Sequence, residues 1–402
     1  MVISDNRKPS LLLMVLLLFS TQACTDIFLS GLPQMEATFN ETMLVTNLTI
    51  SIYNYSQAFF VLFIGVISDL NGRRSTILIC LVLHIVASIC IALSNSISIV
   101  ILMRIIQALG SAAIYIILRL IIKDTMEKKA QIHATGLLVI GLVLSPILAP
   151  TVGAWIIHFS NWRACFWVIA IFEMPLLIWA LITIKETNHK QLEFRASFSI
   201  KNHFLSYYLI LKDRYFLSLA LIVGATFAAF YAFISISSYL YINQYNIGNI
   251  NYSYIFIGIA LFYLIGNRIM SNLNANNTSP QKIIKIGIYT SLFGTALILA
   301  ALCTQERFTI LAFITIGSCF LRLATALINP PVQVVITNHF LEKGSYALGL
   351  LTCIQYSFAA IGTMTVSWLS LQPSHNFMIS TLIFIILSII GYVLCFKNRI
   401  NT

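Results

Sequence analysis

Three ionisable side chains stand inside stretches that are otherwise almost wholly apolar. Asp26 follows the run LLLMVLLLFS, Arg104 lies in ILMRIIQALG, and Glu173 lies in FEMPLLIW. A charge in apolar surroundings costs several kcal/mol unless it is paired, hydrogen-bonded or protonated. We therefore take the two acids as candidates for binding and releasing a proton, and the arginine as a partner for a carboxylate.

The composition restricts the class of protein that holds them. Of the 402 residues, 59% are hydrophobic and 9% are charged, against about 25% charged in soluble domains. So much apolar surface does not fit inside one water-soluble core, and the sequence predicts an all-α polytopic membrane protein. HExxH, GxSxG and P-loop motifs are absent from the sequence, so an enzyme is not expected.

Net charge and cysteines point to no further cofactor or partner class. The formal charge is +11, but the basic residues lie in short loops and form no basic face, so no nucleic-acid partner is expected. The eight cysteines lie in or beside apolar runs without CxxC spacing. We interpret them as small packing residues rather than disulfides or metal ligands, and we expect no metal site.

The chain contains twelve apolar runs, each near or above the ~20 residues needed to cross a bilayer. A cleavable signal is the alternative for the first run, but the run resumes after Cys24 and predicts an uncleaved helix. The runs cover residues 10–32, 45–68, 76–95, 97–122, 132–158, 162–184, 215–243, 249–270, 282–303, 308–330, 346–370 and 374–396.

A long polar interval divides these runs into six and six. It predicts an N-terminal six-helix bundle at 1–184, a cytoplasmic linker at 185–214 and a C-terminal six-helix bundle at 215–402. The end of the linker, FSIKNHFLSYYLILKD, has the spacing of a helix that lies on the membrane surface. Faint echoes between TGLLVIG and LGLLTCI predict two pseudo-symmetric halves with the site between them.

The positions of Lys and Arg predict the orientation in the membrane. If the N-terminus is cytoplasmic, only Arg163 and Arg307 of the 24 basic residues fall in outer loops. Arg104 and Arg322 lie within helices, and all the others fall in inner loops or termini. The excess of inner positive charge predicts that both termini are cytoplasmic.

This topology gives Asp26 and Arg104 similar depths, roughly 9 and 10 Å below the outer surface at ~1.5 Å per residue. Burial favours a protonated carboxyl, and a nearby arginine favours the charged form. A movement that changes their separation would therefore load or release a proton, and a static buried pair is the alternative. Glu173 either shares this role or bonds a backbone group freed by Pro175.

The segment GVISDLNGRRSTIL combines one acid, two arginines and two glycines at the inner surface. We expect Gly65 to allow close helix approach, Gly72 to allow a tight turn, and an Asp69–Arg73–Asp124 cluster to latch the cytoplasmic side in one state. Ordinary positive loop charge is the alternative. The predicted latch comprises Gly65, Asp69, Gly72, Arg73, Arg74 and Asp124.

The fifth run carries GLVLSPILAPTVGAW. Pro146 and Pro150 remove backbone donors and predict a bend, while Gly141 and Gly153 admit close neighbours. Such a helix suits the lining of a cavity, and a merely kinked structural helix is the alternative.

Amides and aromatic rings inside the runs are the candidates for binding a substrate. A buried amide needs a partner, which water or ligand in a central cavity supplies. Aromatic residues are more often core or lipid-facing. The predicted substrate-cavity residues are Tyr53, Asn54, Gln57, Gln107, Tyr231, Asn329, Gln333 and Gln355.

Several of these segments resemble motifs of the major facilitator superfamily. GVISDLNGRR resembles its loop 2–3 signature, RIIQALG its helix 4 signature, and SPILAPTVG its antiporter helix 5 signature. TDIFLSGLPQM and NPPVQVVITNHFLEKGSYALGLLT resemble regions of the Bcr/CflA drug-resistance transporters. Phe28 stands where that subfamily usually has tyrosine, and Leu18 stands where some multidrug members carry a second acid.

The resemblance implies a proton-coupled antiporter that works by alternating access. It implies export of small lipophilic or amphipathic compounds, as in multidrug efflux or siderophore and metabolite export, with a proton symporter for uptake as the alternative. It implies proton exchange at Asp26 with Arg104 as partner, no cofactor beyond the proton gradient, and a monomer in the inner membrane of a bacterium. The partners are then a small-molecule substrate, protons and the lipid bilayer.

Overall fold

The computed structural model describes residues 10–188, 199–341, 343–369 and 371–400. All regular secondary structure within these ranges is helical. Twelve helical segments among the described residues are long and apolar enough to cross a membrane. The predicted all-α fold with twelve spans is confirmed.

Seven α-helices precede residue 188. Leu29–Gly31, a 3-10 turn, joins α1 to α2, so these two short helices together make the first span. The helices are α1 Leu11–Asp26, α2 Leu32–Phe39, α3 Met43–Asn71, α4 Arg73–Leu93, α5 Ile97–Thr125, α6 Lys128–Phe159 and α7 Trp162–Thr183.

Seven more α-helices follow residue 199. The ninth continues as a π-helical turn, Tyr239–Gln244, and the eleventh ends in a 3-10 turn, Ala301–Cys303. The helices are α8 Ile200–Leu211, α9 Arg214–Ser238, α10 Asn249–Ala275, α11 Pro280–Ala300, α12 Arg307–His339, α13 Gly344–Trp368 and α14 Pro373–Ile400.

Two spans differ from the prediction for identifiable reasons. The first was expected to be one helix over 10–32, but α1 ends at Asp26 and the span continues to Phe39. The tenth was expected to end at residue 330, but α12 passes through Pro330 and Pro331. Spanning helices tolerate proline because neighbouring groups satisfy the carbonyls that it frees.

The described residues form two compact units. One contains those of Met1–Phe28 and Phe59–Phe198, and the other contains Leu29–Ala58 with those of Ser199–Thr402. The division into 1–184, 185–214 and 215–402 stays a prediction, and residues 189–198 of the linker lie outside the described residues.

The core of the first unit is built from apolar side chains of α1 and α3–α7. Leu18, where some multidrug members carry an acid, is 1% exposed and lies in this core. A carboxylate buried among these apolar side chains would be unfavourable.

The described end of the predicted linker includes α8, which packs against the start of α13. His203 and Tyr207 contact the ring of Tyr346, with centroids 5.4 Å apart in each pair. Burial raises the pKa of the Tyr207 hydroxyl, which therefore stays protonated. Apolar side chains such as Phe204 remain exposed, and the predicted position of this helix on a membrane surface stays a prediction.

Helices α1 and α6 touch backbone to backbone at two glycines of the fifth run. A Cβ added at Gly141 would lie 2.8 Å from the carbonyl oxygen of Val15. A Cβ at Gly153 would overlap the carbonyl group of Ile27. The glycines of GLVLSPILAPTVGAW therefore fix how closely α6 approaches the end of α1.

We predict that Gly153→Ala lowers the thermal unfolding midpoint of the purified protein by several degrees. The added methyl group meets backbone, which cannot rotate away, and overpacking typically costs about 1–3 kcal/mol. Gly136→Ala, in the same helix, is the matched control, because a Cβ there meets open space. Equal midpoints for the two variants would contradict the close contact.

Candidate functional site

Asp26 is the last residue of α1, where the regular α-helical hydrogen bonding of the first span ends. It is half-buried, and the Ser145 hydroxyl donates to its Oδ2 at 3.4 Å. Ser145 precedes Pro146 in α6, which remains one helix through both of its prolines. The site thus joins the break in the first span to the Ser-Pro segment of the fifth.

Arg104 is fully buried and contacts the residues on either side of Asp26. Its Nη1 donates to the carbonyl oxygen of Cys24 at 3.3 Å, and its guanidinium lies 4.7 Å from the centroid of the Phe28 ring. The last carbonyls of a helix lack intrahelical donors, and a cation at this end is favourable. Arg104 therefore caps the C-terminus of α1, and direct exchange with Asp26 stays a prediction.

Glu173 has a partner that the sequence analysis missed. Its Oε2 lies 2.8 Å from Nδ1 of His84, and both side chains are fully buried. Glu173 thus faces protein, its partner is an imidazole on α4, and its share in proton coupling stays a prediction. A histidine inside the apolar run LVLHIV was the available signal for this pair.

A chain of hydrogen bonds links Arg104 with the backbone of His84. Arg104 Nη1 donates to Oε1 of Gln107 at 3.0 Å, and Gln107 Nε2 donates to the Ser88 hydroxyl at 2.7 Å. That hydroxyl donates to the carbonyl oxygen of His84 at 2.9 Å. Gln107 is fully buried and uses both ends of its amide in this chain, and its place among the substrate-binding residues stays a prediction.

The glycine of RIIQALG makes this arrangement possible. A Cβ at Gly110 would lie 2.6 Å from the Cβ of His84 and 2.9 Å from the carbonyl oxygen of Cys80. Helices α4 and α5 can approach closely only because this position lacks a side chain. Arg104, Gln107 and Gly110 are spaced at successive turns of α5 and share one face.

The predicted cytoplasmic cluster is assembled around Arg73. Its Nη2 lies 2.6 Å from Oδ1 of Asp69, and its Nε lies 3.2 Å from Oδ2 of Asp124. Nη1 donates to the Ser68 hydroxyl at 2.6 Å. One largely buried cation thus contacts two carboxylates at the junction of α3, α4 and α5, and the function of this cluster as a latch stays a prediction.

Glu186 was missed as a further member of this region. Its carboxylate accepts from the backbone N–H groups of Arg73 and Arg74, at 2.9 and 3.1 Å. It therefore caps the N-terminus of α4, where unpaired donors and the helix dipole favour an anion. An acid shortly after the sixth run, in KETNHK, was the available signal.

The two glycines of this segment differ. Gly72 has φ of +92°, a left-handed backbone that permits the tight turn between α3 and α4. A Cβ at Gly65 would meet nothing within 4 Å. The expectation that Gly65 permits close helix approach is therefore wrong in this structure. The neighbouring Arg74 donates to the carbonyl oxygen of Leu181 at 3.0 Å.

Three predicted substrate residues lie on the part of α3 that belongs to the second unit. Tyr53, Asn54 and Gln57 are at most 1% exposed. Neither polar atom of the Asn54 amide has a hydrogen-bond partner among the described residues, nor does Nε2 of Gln57. Orphaned buried amides are costly, so this is a place where water or a ligand would be stabilising.

The other predicted substrate residues lie on α9, α12 and α13. The Tyr231 ring centroid lies 5.3 Å from that of Phe227. Gln333 Nε2 donates to Oδ1 of Asn329 at 3.3 Å, and Gln355 is 8% exposed. All four predicted residues belong to the second unit, together with the three on α3.

We predict that Arg73→Gln lowers the free energy of unfolding by about 1–3 kcal/mol, because two carboxylates lose a shared charged donor. Arg74→Gln is the control, because the side chain of this exposed neighbour donates to a backbone carbonyl rather than to a carboxylate. Unfolding by SDS in mixed micelles measures both variants. Equal effects would contradict the special position of Arg73.

We predict energetic coupling between His84 and Glu173. Removing one partner of a buried hydrogen-bonded pair costs about 1–3 kcal/mol, because the other polar group stays buried alone. The double variant should lose less unfolding free energy than the sum of the losses in the single variants His84→Leu and Glu173→Leu. The difference, which is the coupling energy, should be about 0.5–3 kcal/mol. Strictly additive changes in unfolding free energy would contradict the pairing.

Comparisons with known proteins agree with this architecture. A solved D-xylose–proton symporter superimposes with a TM-score of 0.75 at 15% identity, covering 96% of each chain. A bacterial homologue of the human lysosomal transporter Spinster, in an inward-facing and unoccupied conformation, gives 0.70 at 17% identity, covering 96% of this chain and 95% of that one. At such identities the likeness shows the fold.

Sequence relatives point the same way. The uncharacterized MFS-type transporter YdgK of Bacillus subtilis (strain 168) is 25% identical over 276 residues, 68% of each chain. The multidrug resistance protein MdtL of Escherichia coli O81 (strain ED1a) is 29% identical over 162 residues, 40% of this chain and 41% of MdtL. The family model of the Major Facilitator Superfamily matches residues 14–363. The chain therefore belongs to the Major Facilitator Superfamily and is a multi-pass membrane transporter.

Proposed function

We propose that this transporter is a Bcr/CflA-type antiporter that exports small lipophilic or amphipathic compounds in exchange for protons. The observation that carries the proposal is the position of Asp26, at the end of α1, between residues held by Arg104 and beside Ser145 of α6. An ionisable residue within a membrane span is a functional candidate by default.

The geometry supports a coupling mechanism in which α1 is the mobile part. Arg104 holds the carbonyl of Cys24 and the ring of Phe28, which lie on either side of Asp26 in the first span. Backbone contacts with Gly141 and Gly153 connect α1 to α6, so a shift of α6 would move the carboxylate relative to Arg104. Such a shift would release or take up a proton.

His84 and Glu173 are proposed as a second proton-binding pair. They lie fully buried, and the free Nε2 and Oε1 atoms of this pair lack partners among the described residues. This pair would supply a second titratable site although Leu18 replaces the second acid of the first span. The cluster of Arg73 with Asp69 and Asp124 is proposed as the cytoplasmic latch.

The direction of transport is proposed as export. The name of MdtL, multidrug resistance protein, describes that relative, and the match to it supports an efflux function here. The Pro/Gly pattern of α6 resembles that of antiporters. Uptake by proton symport is the alternative, and the D-xylose–proton symporter shares the fold.

The remaining expectations accompany this proposal. The transporter would work as a monomer in the inner membrane of a bacterium, with both termini in the cytoplasm. Its partners would be a small-molecule substrate, protons and lipid, and the proton gradient would be its only energy source. No nucleic acid or metal enters the mechanism.

We predict that Asp26→Asn abolishes substrate-induced proton release. Inside-out vesicles with a respiration-driven pH gradient would be challenged with tetraphenylphosphonium, chloramphenicol or 2-naphthoate, and the gradient followed by a fluorescent amine. The wild type should collapse the gradient with at least one probe, because substrate and protons exchange. The amide cannot carry the proton.

Asp213→Asn is the matched control for this experiment, since that carboxylate lies outside the spans and contacts His339 Nε2 at 2.8 Å. It should retain the response. Continued proton release by Asp26→Asn would show that Asp26 is not the carrier. Entry of labelled probe into intact, energised cells would favour the symport alternative.

A further inference from the structure

Arg322 places a positive charge near the middle of a membrane span. It lies more than ~20 Å along the axis of α12 from either end. Its half-buried guanidinium stands between two rings, 4.4 Å from the centroid of Phe230 and 4.2 Å from that of Tyr263. These rings belong to α9 and α10, so three helices of the second unit meet at this cation.

No carboxylate among the described residues lies within ion-pair distance of Arg322. The described acids of the second unit lie elsewhere: Glu36 in α2, Glu41 in the following loop, Asp213 beside His339, and Glu306 at the start of α12. Aromatic faces attract a guanidinium, but they leave its net charge intact and its N–H donors unused. A charge at this depth calls for an anionic partner.

The same face of α12 continues with polar side chains. Asn329 and Gln333 follow Arg322 by two and three helical turns, and both are half-buried. Their amides bond to each other at 3.3 Å, and the Asn329 amide nitrogen keeps a donor without a partner among the described residues. The stripe offers a cation and, about 10 Å further along the axis, an amide donor.

A wall of aromatic rings adjoins the cation. Phe230 contacts Tyr231, with centroids 6.2 Å apart, and Tyr231 contacts Phe227 at 5.3 Å. Phe227 in turn contacts Tyr356 at 6.2 Å. Such rings bind flat aromatic bodies by stacking or by edge-to-face contact.

We propose that Arg322 is the anion-binding residue of the substrate site and that aromatic carboxylates are a substrate class of this transporter. The guanidinium would donate two parallel N–H bonds to the carboxylate, a geometry that lysine and amides cannot reproduce. The rings of Phe230 and Tyr263 orient the planar guanidinium. The aromatic ring of the substrate packs on the wall of rings that includes Tyr231. This inference rests on the proposed transport function.

The test uses a matched pair of probes, 2-naphthoate and 2-naphthamide, which differ by one negative charge. Binding to the full-length protein in nanodiscs would be measured by calorimetry at pH 7. The wild type should bind the naphthoate at least about tenfold more tightly, and Arg322→Gln should weaken naphthoate binding about 10- to 100-fold while leaving the naphthamide within threefold, as expected for a charged hydrogen bond.

Arg268→Gln is the control, because it removes an exposed cation of α10 that lies outside the proposed site. Size-exclusion profiles and unfolding midpoints monitor folding. If Arg322→Gln does not fold, Arg322→Lys and the wild-type preference for the naphthoate still test the proposal. Equal wild-type affinity for both probes, binding of neither, or equal losses for both in Arg322→Gln would overturn it.

The two proposals fail differently. Arg322-dependent naphthoate binding without any proton-linked transport would contradict the proposed function and leave the anion site standing. If tetraphenylphosphonium is exported in exchange for protons but naphthoate binding is unchanged in Arg322→Gln, only the proposed anion site is overturned.

Discussion

Water is absent from the hydrocarbon core of a bilayer, so every backbone donor and every charge of this transporter needs a partner within the protein or a ligand. The twelve spans satisfy most of this demand by forming helices. Where a helix is interrupted, the demand falls on side chains. At the end of α1 the carbonyl of Cys24 receives its donor from Arg104, and that single contact connects the break in the backbone with the buried polar chain of α4 and α5.

The need of buried polar groups for hydrogen-bond partners organises the packing of the first unit. Arg104 holds the end of α1, Gln107 and Ser88 extend its hydrogen bonding, and Gly110 lets His84 reach across to Glu173. Removing one polar side chain of this chain leaves its neighbour buried without that hydrogen-bond partner. The members of such a network depend on one another, which suits them to responding together when one member gains or loses a proton.

The second unit handles its buried charge differently. Arg322 is held by aromatic rings rather than by a carboxylate, and two amides follow it on the same helix face. Arg73 is paired with two carboxylates, whereas no carboxylate among the described residues lies within ion-pair distance of Arg322. We interpret this difference through the two proposals: the first unit would bind and release protons, and the second would contribute the positive charge that selects a substrate.

The sequence by itself determined the class, the number of spans and many candidate residues, because hydropathy, length and unusual charge are local properties of the chain. Asp26 and the Asp69–Arg73–Asp124 cluster were recognisable for this reason. Only the tertiary structure decided which groups meet. His84 and Glu173 are 89 residues apart, and Glu186 caps a helix 113 residues earlier. Likewise, a Cβ at Gly65 would meet open space, and the Gln107 amide bonds to Arg104 and Ser88. The packing of separate helices decides such contacts, and the spacing of residues within one helix does not.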